Sequence, residues 1–267
     1  MLHDVVQRKK FYTLVLQKCL TRSHGHYDEF IESLSKVDLT DKDNRLILLG
    51  DYIDGGPQSF QVISKIIELE KKFPDQVITL LGNHEEYFSE WLFEENGASK
   101  YTSYDTIISF IGQNKRKNIV DTVISNFSIS DEEYLVQINK KIRDCVTSEY
   151  PAIVDWFKNK YFHSERFYET DNQIFVHAGI DEEFGENWKL YSNPDIFTSK
   201  FPASIGKFYK DIISGHIYSE EIAKDSDMLG KIYFDNYNHY YIDGHVFLSK
   251  TIPVLAFDMI TKKYHFL

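Results

Sequence analysis

Four short apolar runs in this chain each stop at a glycine or at a cluster of polar residues. The runs cover residues 46–49, 77–81, 174–176 and 212–213, and the polar side chains that follow them include Asp51, Asn83, His84, His177 and His216. Continuous apolar runs of this length predict strands that are covered on both faces of a sheet. Because ligands bind outside the carboxyl ends of strands in α/β sheets, residues distant in sequence can meet there. The pattern predicts an α/β fold with polar groups collected at one rim.

Segments beside these runs have helical periodicity. Pro57 can begin a helix between the first two runs, and apolar residues recur on one face up to Phe73, at Ile63, Ile66 and Ile67. A second amphipathic stretch follows Gly25. The first segment completes a strand, helix, strand unit.

The pattern changes twice further along the chain. From about residue 86 to 172 it is mostly helical, which predicts a helical insertion, or cap, with no evident chemistry of its own. After Gly230 it is rich in β-formers, and we predict antiparallel strands in KIYFDNYNHYYIDG, HVFLS, TIPVLAFDMI and KKYHFL. Since there is no repeat or Pro/Ser-rich tract, residues 1–267 are predicted to form a single domain.

Composition excludes several classes of protein. With 42% hydrophobic residues the chain can bury a sizeable core, yet no apolar stretch reaches the length of a membrane helix, so we expect no membrane partner. The net charge of −11 repels a nucleic-acid backbone, so we expect no nucleic-acid partner. The first residues, MLHDVVQRKKFYTLVL, lack the pattern of a signal peptide, and we expect a cytoplasmic protein.

The polar groups at the strand ends are of the types that bind divalent cations. Asp and Asn oxygens together with His nitrogens suit Mn, Fe or Zn. An acidic protein that acts on an anionic substrate also needs a local positive charge, which bound cations supply. The sequence therefore points to a metal site at the rim.

The segments GDYIDGG, GNHE, HAG and GH, in this order, resemble the motifs of the calcineurin-like metallophosphoesterases. The resemblance is greatest to the branch of serine/threonine protein phosphatases (PPP-like) and symmetrical diadenosine tetraphosphatases, and it begins near Ser23. It implies an α/β four-layer sandwich, in which two mixed β-sheets are flanked by helices, with the helical insertion added. It also implies two divalent metal ions, manganese first and iron or zinc as alternatives.

The same resemblance implies the ligands of the two ions. Asp51 would bridge them, while Asn83, His177 and His216 would complete the shell of the second ion. His24, in SHGHYDEF, would ligate the first ion. Two such ions polarise phosphoryl oxygens and acidify a shared water, which implies hydrolysis by attack of a metal-bound hydroxide.

Two further residues would act in proton transfer. His84 follows a ligand directly, and the resemblance makes it the general acid toward the leaving group. Asp54 would orient the His84 imidazole through a hydrogen bond.

The chain departs from the family pattern at three positions, of which one, Tyr218 in place of a second histidine after Gly-His, is tolerated in the protein-phosphatase branch. Arg22 stands where the family has an aspartate ligand of the first ion, and a guanidinium cannot coordinate a cation. Three explanations stay open: one bound metal with Arg22 near the missing charge, help from a carboxylate such as Asp28, or a native chain that does not start with residues 1–22. Gly55 stands where protein phosphatases have a phosphate-clamping arginine. Arg22, Arg166 and Lys189 are therefore the candidate substrate-binding cations.

Three functional hypotheses follow. The first is a phosphatase that hydrolyses a phosphomonoester, on Ser/Thr of a phosphoprotein or on a small phosphorylated metabolite. The second is hydrolysis of a symmetrical dinucleoside tetraphosphate. The third is a catalytically impaired phosphoesterase fold that binds phosphorylated ligands, a hypothesis motivated by Arg22 and Gly55. Metal analysis combined with p-nitrophenyl phosphate turnover separates the enzymes from the binding module.

Overall fold

Two mixed β-sheets form the centre of the molecule. A computed structural model describes residues 12–16, 25–93, 101, 103–126 and 130–267. The first sheet contains β1 (Tyr12–Leu16), β2 (Arg45–Leu48), β3 (Val77–Thr79), β9 (Val254–Asp258) and β10 (Lys263–Phe266), in the order β10-β9-β1-β2-β3. The second contains β4 (Phe167–Glu169), β5 (Gln173–Val176), β6 (Asp211–Ser214), β7 (Tyr233–Phe234) and β8 (His239–Tyr241), in the order β4-β5-β6-β8-β7.

Each sheet combines three neighbouring parallel strands with two strands that make antiparallel pairs. In the first sheet β1, β2 and β3 are parallel, and β9 pairs antiparallel with both β1 and β10. In the second sheet β5, β6 and β8 are parallel, and β4 and β7 are antiparallel to their neighbours. All four predicted apolar runs therefore form parallel strands, as the sequence pattern predicts.

Helices cover the outer faces of the sheets. The longer ones are α1 (Tyr27–Leu34), α2 (Ser59–Lys72), α3 (Asn83–Phe93), α4 (Tyr104–Ile111), α5 (Gln113–Asn126), α6 (Asp131–Glu149) and α7 (Pro151–His163). Four short helices follow: α8 (Trp188–Tyr191), α9 (Ile196–Ser199), α10 (Ser219–Ala223) and α11 (Val246–Ser249). In the described part of the chain, no helix combines the length and the apolar character that crossing a bilayer demands.

Alternation along the strands creates the four layers. In β2, Leu46 and Leu48 belong to the core that includes residues of α1, α2 and α3, whereas Ile47 packs between the two sheets. In β5, Phe175 faces the other sheet and Ile174 packs toward α8 and α9. Because successive side chains of a strand point to opposite faces, each buried strand serves two cores. This arrangement confirms the predicted four-layer sandwich.

The structure corrects the sequence prediction in two segments. The helical insertion, predicted over residues 86–172, has its last helix end at His163, because residues 167–169 form β4 and pair with β5. The HVFLS segment is not a strand, because it includes α11, which connects β8 of one sheet to β9 of the other. Its Phe247 and Leu248 are exposed, so this apolar run has no sheet face to cover.

Two glycines allow the loops after β2 and β3 to cross in contact. Gly50 has φ 102°, and a Cβ placed there would meet the backbone of Gly82, with 2.7 Å to the Gly82 Cα. A Cβ on Gly82 would lie 2.7 Å from Cε1 of His177 and would also overlap the Asp51 carboxylate. Side chains at either position would force apart the two loops that carry the predicted site residues.

We expect Gly50→Ala to lower the free energy of unfolding by about 3 kcal/mol, because it adds a steric clash to backbone strain. Gly112 is the matched control, since its φ is 77° but a Cβ there would meet no atom within 4 Å. Gly112→Ala should therefore cost only the strain, about 1–2 kcal/mol. Urea unfolding measures both values, and equal losses would contradict the close crossing.

Candidate active site

Glu85 of α3 holds the loop that follows β2. Its carboxylate is fully buried and accepts hydrogen bonds from the backbone N–H groups of Asp51 (2.7 Å), Tyr52 (2.6 Å), Ile53 (3.2 Å) and Gly82 (3.0 Å). These four donors come from both crossing loops, so one carboxylate fixes them to each other. Burial and the nearby Asp51 charge raise the pKa of Glu85 to about 7.

Four predicted ligands converge at the carboxyl ends of β2, β3, β5 and β6. Asn83 Oδ1 lies 3.2 Å from both His177 Nε2 and His216 Nδ1, and these two nitrogens are 3.2 Å apart. Asp51 Oδ2 lies 3.3 Å from His177 Nε2. We call Asp51, Asn83, His177 and His216 the donor cluster. Donor atoms of its carboxylate and two imidazoles all lie within 4.8 Å of one another.

The donor cluster fits a divalent cation. His177 Nδ1 lies 2.8 Å from the Leu49 carbonyl oxygen, which can accept a hydrogen bond only if Nδ1 carries the proton. In the neutral ring Nε2 then has a lone pair, and it faces the oxygens of Asp51 and Asn83. Lone pairs that converge at such distances repel one another unless a proton or a metal cation lies between them. Oxygen and imidazole ligands of this kind suit Mn, Fe or Zn.

The surroundings of the two histidines differ. Burial disfavours the charged form of His177, but the Asp51 carboxylate and the hydrogen bonds outweigh it and raise its pKa. Burial and the neighbouring His177 lower the pKa of His216 to about 3. His216 is therefore neutral, as a metal ligand must be, and the Asp51 charge attracts a cation to the His177 nitrogen.

Three site residues have left-handed backbone conformations. The φ angles are 58° for Asp51, 75° for Asp54 and 67° for His216. Side chains with a Cβ rarely occupy this region unless the surroundings enforce it, and such strain concentrates at functional sites. The strained positions here coincide with residues predicted from the motifs.

His84 and Asp54 form an ion-paired dyad beside the donor cluster. His84 Nδ1 lies 2.6 Å from Asp54 Oδ2, and the backbone N–H of His84 donates to Asp51 Oδ1 at 3.3 Å. Burial disfavours the charged imidazole, but the Asp51 charge and the Asp54 hydrogen bond outweigh it and raise the pKa of His84 to about 9. The predicted contact between these two residues is present.

The helical insertion reaches this dyad, which the sequence pattern did not foresee. Burial alone would raise the pKa of Asp54, but hydrogen bonds from His84, Ser103 and Thr106 keep it below its ordinary value. Tyr101 also donates its phenolic hydrogen to Asp54 Oδ1. The insertion therefore contributes hydrogen bonds to the dyad, which the prediction of a cap with no evident chemistry did not include.

Arg166 and Lys189, the predicted substrate-binding residues that the structure describes, make their contacts with other parts of the fold. Arg22 and His24 are outside the described residues. Arg166 Nε contacts Glu86 at 2.6 Å, and its other two nitrogens donate to carbonyl oxygens at the end of α7 and just beyond it. Lys189 pairs with Glu169, and Asp28 is exposed in the first turn of α1. Arg166 and Lys189 are thus paired with carboxylates within the fold, and their role as substrate-binding cations stays a prediction.

The sequence prediction did not include Glu85, Tyr101 or Thr106, and the sequence contains a signal for only the first of them. Glu85 is the last residue of GNHE, so the motif itself marked it. Tyr101 and Thr106 lie in no motif, and residues with a hydroxyl group are common in helical segments, so the sequence does not distinguish them. Only their position against Asp54 distinguishes them.

Comparison with known proteins identifies related sequences and structures. Over 63 residues, 23% of this chain, it is 46% identical to the zinc-dependent endopolyphosphatase of Saccharomyces cerevisiae, and the match covers 18% of that protein. Over 96 residues, 36% of this chain, it is 30% identical to the symmetrical bis(5'-nucleosyl)-tetraphosphatase of Nitrosococcus oceani, and the match covers 32% of that protein. These matches therefore span about a third or less of the relatives.

A solved structure shows the same fold over nearly the whole chain. It is a protein serine/threonine phosphatase from Saccharomyces cerevisiae with similarity to human phosphatase PP5, and its TM-score is 0.53 at 11% identity. The alignment covers 94% of this chain and 73% of that one. The family model for the calcineurin-like phosphoesterases matches residues 23–246, a span that includes the donor cluster and the dyad. On this match the chain belongs to the calcineurin-like phosphoesterase family, whose members are phosphoesterases.

Proposed function

We propose that the protein is a metal-dependent phosphatase that hydrolyses phosphomonoesters, on phosphorylated Ser/Thr of a protein or on a small metabolite. The observation that carries this proposal is the convergence of Asp51, Asn83, His177 and His216 from four strand ends. The relatives are named for different phosphate compounds, polyphosphate and dinucleoside tetraphosphates, and they support hydrolysis at a phosphoryl group but not of one particular compound.

The donor cluster would hold one divalent cation, and Asp51 would share its carboxylate with a second one bound through His24. Bound divalent cations supply Lewis acidity, which polarises a phosphoryl group and lowers the pKa of water. Manganese is the proposed ion, with iron or zinc as alternatives, because the oxygen and imidazole donors suit all three. The Asp51 carboxylate would repel a phosphate at the donor cluster, and bound cations would offset that repulsion.

His84 would protonate the leaving-group oxygen. Its Nδ1 is engaged by Asp54, so the proton comes from Nε2, the other nitrogen of the ring. The Asp54 carboxylate both orients the imidazole and stabilises its positive charge.

Removal of a ligand tests the metal site. We expect wild-type protein to bind Mn²⁺ and to hydrolyse p-nitrophenyl phosphate, and a chelator to abolish turnover. His177→Ala should weaken Mn²⁺ binding by more than about 100-fold, since even partners of metal ligands contribute 10–100-fold. His163→Ala is the control, because His163 is exposed at the end of α7. Titration calorimetry measures affinity, and unchanged affinity in His177→Ala would refute the site.

Substitution of His84 tests the proton donor separately from the metal. His84→Asn should lower kcat for phenyl phosphate by about 10²–10⁴-fold, the usual contribution of a positioned acid, while the Mn²⁺ content stays that of wild type. Steady-state kinetics and elemental analysis give the two values. Full turnover of this poor-leaving-group ester in the variant would exclude His84 as the acid.

Hydrolysis of a symmetrical dinucleoside tetraphosphate is the second candidate function. The 30% identity to the tetraphosphatase of Nitrosococcus oceani over 96 residues favours it. Incubation with diadenosine tetraphosphate and Mn²⁺, followed by chromatography, separates the candidates. We expect turnover of phosphopeptides or phosphometabolites to exceed formation of ADP. If the folded, metal-loaded protein hydrolyses no phosphoester, that result would instead support a module that binds phosphorylated ligands.

A further inference from the structure

The helical insertion places three hydroxyl groups, those of Tyr101, Ser103 and Thr106, on the carboxylate that contacts His84. Tyr101 and Thr106 both donate to Asp54 Oδ1, the Thr106 contact at 2.6 Å, while Asp54 Oδ2 lies 2.6 Å from His84 Nδ1. We propose that Tyr101 and Thr106 are positioning residues that orient Asp54 toward His84 and so tune proton donation to the leaving group. The inference rests on the proposed role of His84 as the acid.

The two oxygens of Asp54 have separate partners. A carboxylate with one partner can rotate about its last bond and exchange its oxygens. Two donors on Oδ1 remove this freedom, because rotation would break both hydrogen bonds inside a buried site where water cannot replace them. Asp54 and Thr106 are buried, and Tyr101 is 8% exposed. Oδ2 is thereby directed at the imidazole.

Thr106 also holds the backbone of Asp54. Its hydroxyl has one hydrogen, which goes to Asp54 Oδ1, and its oxygen accepts the backbone N–H of Asp54 at 2.9 Å. Ser59 Oγ lies 3.1 Å from the same oxygen and must be the donor in that contact, because the Thr106 hydrogen is already used. The hydroxyl of Thr106 is thus fully satisfied, and it stabilises the left-handed conformation at Asp54.

Packing within the insertion holds both hydroxyls in place. The Tyr101 ring contacts Phe88 at 5.4 Å and Trp91 at 5.9 Å between centroids. On α4, the hydroxyl of Ser109 accepts the backbone N–H of Phe60 at 2.6 Å, which ties α4 to the start of α2. The catalytic dyad therefore depends on the docking of the insertion and not only on the sheets.

The decisive variant is Tyr101→Phe, which removes one hydroxyl and keeps the ring. We expect kcat for phenyl phosphate to fall about tenfold, a part of the full contribution of a positioned acid. Turnover of p-nitrophenyl phosphate should change by less than about threefold, because its leaving group needs little protonation. KM should stay constant for both esters, since neither hydroxyl contacts the substrate in this proposal.

Matched variants separate positioning from stability. Tyr150→Phe removes another phenolic hydroxyl of the insertion, one that donates to the Phe110 carbonyl at 2.7 Å, and it should leave the ratio of the two rates unchanged. Thr106→Val should change the ratio of the two rates in the same direction as Tyr101→Phe. Thr106→Ser keeps a hydroxyl group and should keep the wild-type ratio. In an Asp54→Ala background Tyr101→Phe should have no further effect, because it acts through Asp54.

A spectroscopic signal gives a readout that needs no turnover. The imidazole N–H of His84 that is hydrogen-bonded to Asp54 gives a downfield proton resonance, assigned by its loss in His84→Asn. It should shift or broaden in Tyr101→Phe and stay in place in Tyr150→Phe. If the wild type hydrolyses nothing, the proposed function fails and this signal alone decides the positioning. Equal losses on both esters, additivity with Asp54→Ala, or an unmoved resonance would each overturn the inference.

Discussion

The convergence of lone pairs in the donor cluster is the constraint on which the rest of this structure depends. Oxygens of Asp51 and Asn83 lie within 3.3 Å of His177 Nε2, a distance that a bound cation makes favourable. Glycines at the crossing loops permit this approach, and the buried carboxylate of Glu85 holds both loops through four backbone N–H groups. Much of the local backbone therefore serves to keep electron-rich atoms close together.

The β-sheets and the helical insertion contribute different residues to the site. Strands of both sheets supply the donor cluster, while the helical insertion supplies Tyr101 and Thr106 to the dyad of Asp54 and His84. A rigid sheet edge suits metal ligands because their geometry must not vary. An insertion can differ between relatives without disturbing that edge, and here it adds hydrogen bonds to the carboxylate that contacts His84.

Fold alone does not specify the substrate of this chain. The structural neighbour shares the architecture at 11% identity, and the relatives act on polyphosphate and on dinucleoside tetraphosphates according to their names. One site chemistry serves different phosphate compounds, because cations and a proton donor act on the phosphoryl group common to all. Selectivity must come from surfaces around the donor cluster, which Arg166 and Lys189 do not reach through their observed contacts.

Local information was enough for β2, β3, β5, β6 and α2, because apolar runs and helical periodicity involve residues that are neighbours in sequence. The donor cluster and the dyad were instead predicted from short motifs that resemble those of a known family. Long-range contacts were needed for the rest. The apolar segment at α11 is a crossover between sheets, the Arg166 guanidinium caps α7, and Tyr101 contacts Asp54 across 47 positions. A hydroxyl or a guanidinium can bond to many partners, and the folded chain selects one by burial, where an unmet hydrogen bond is costly.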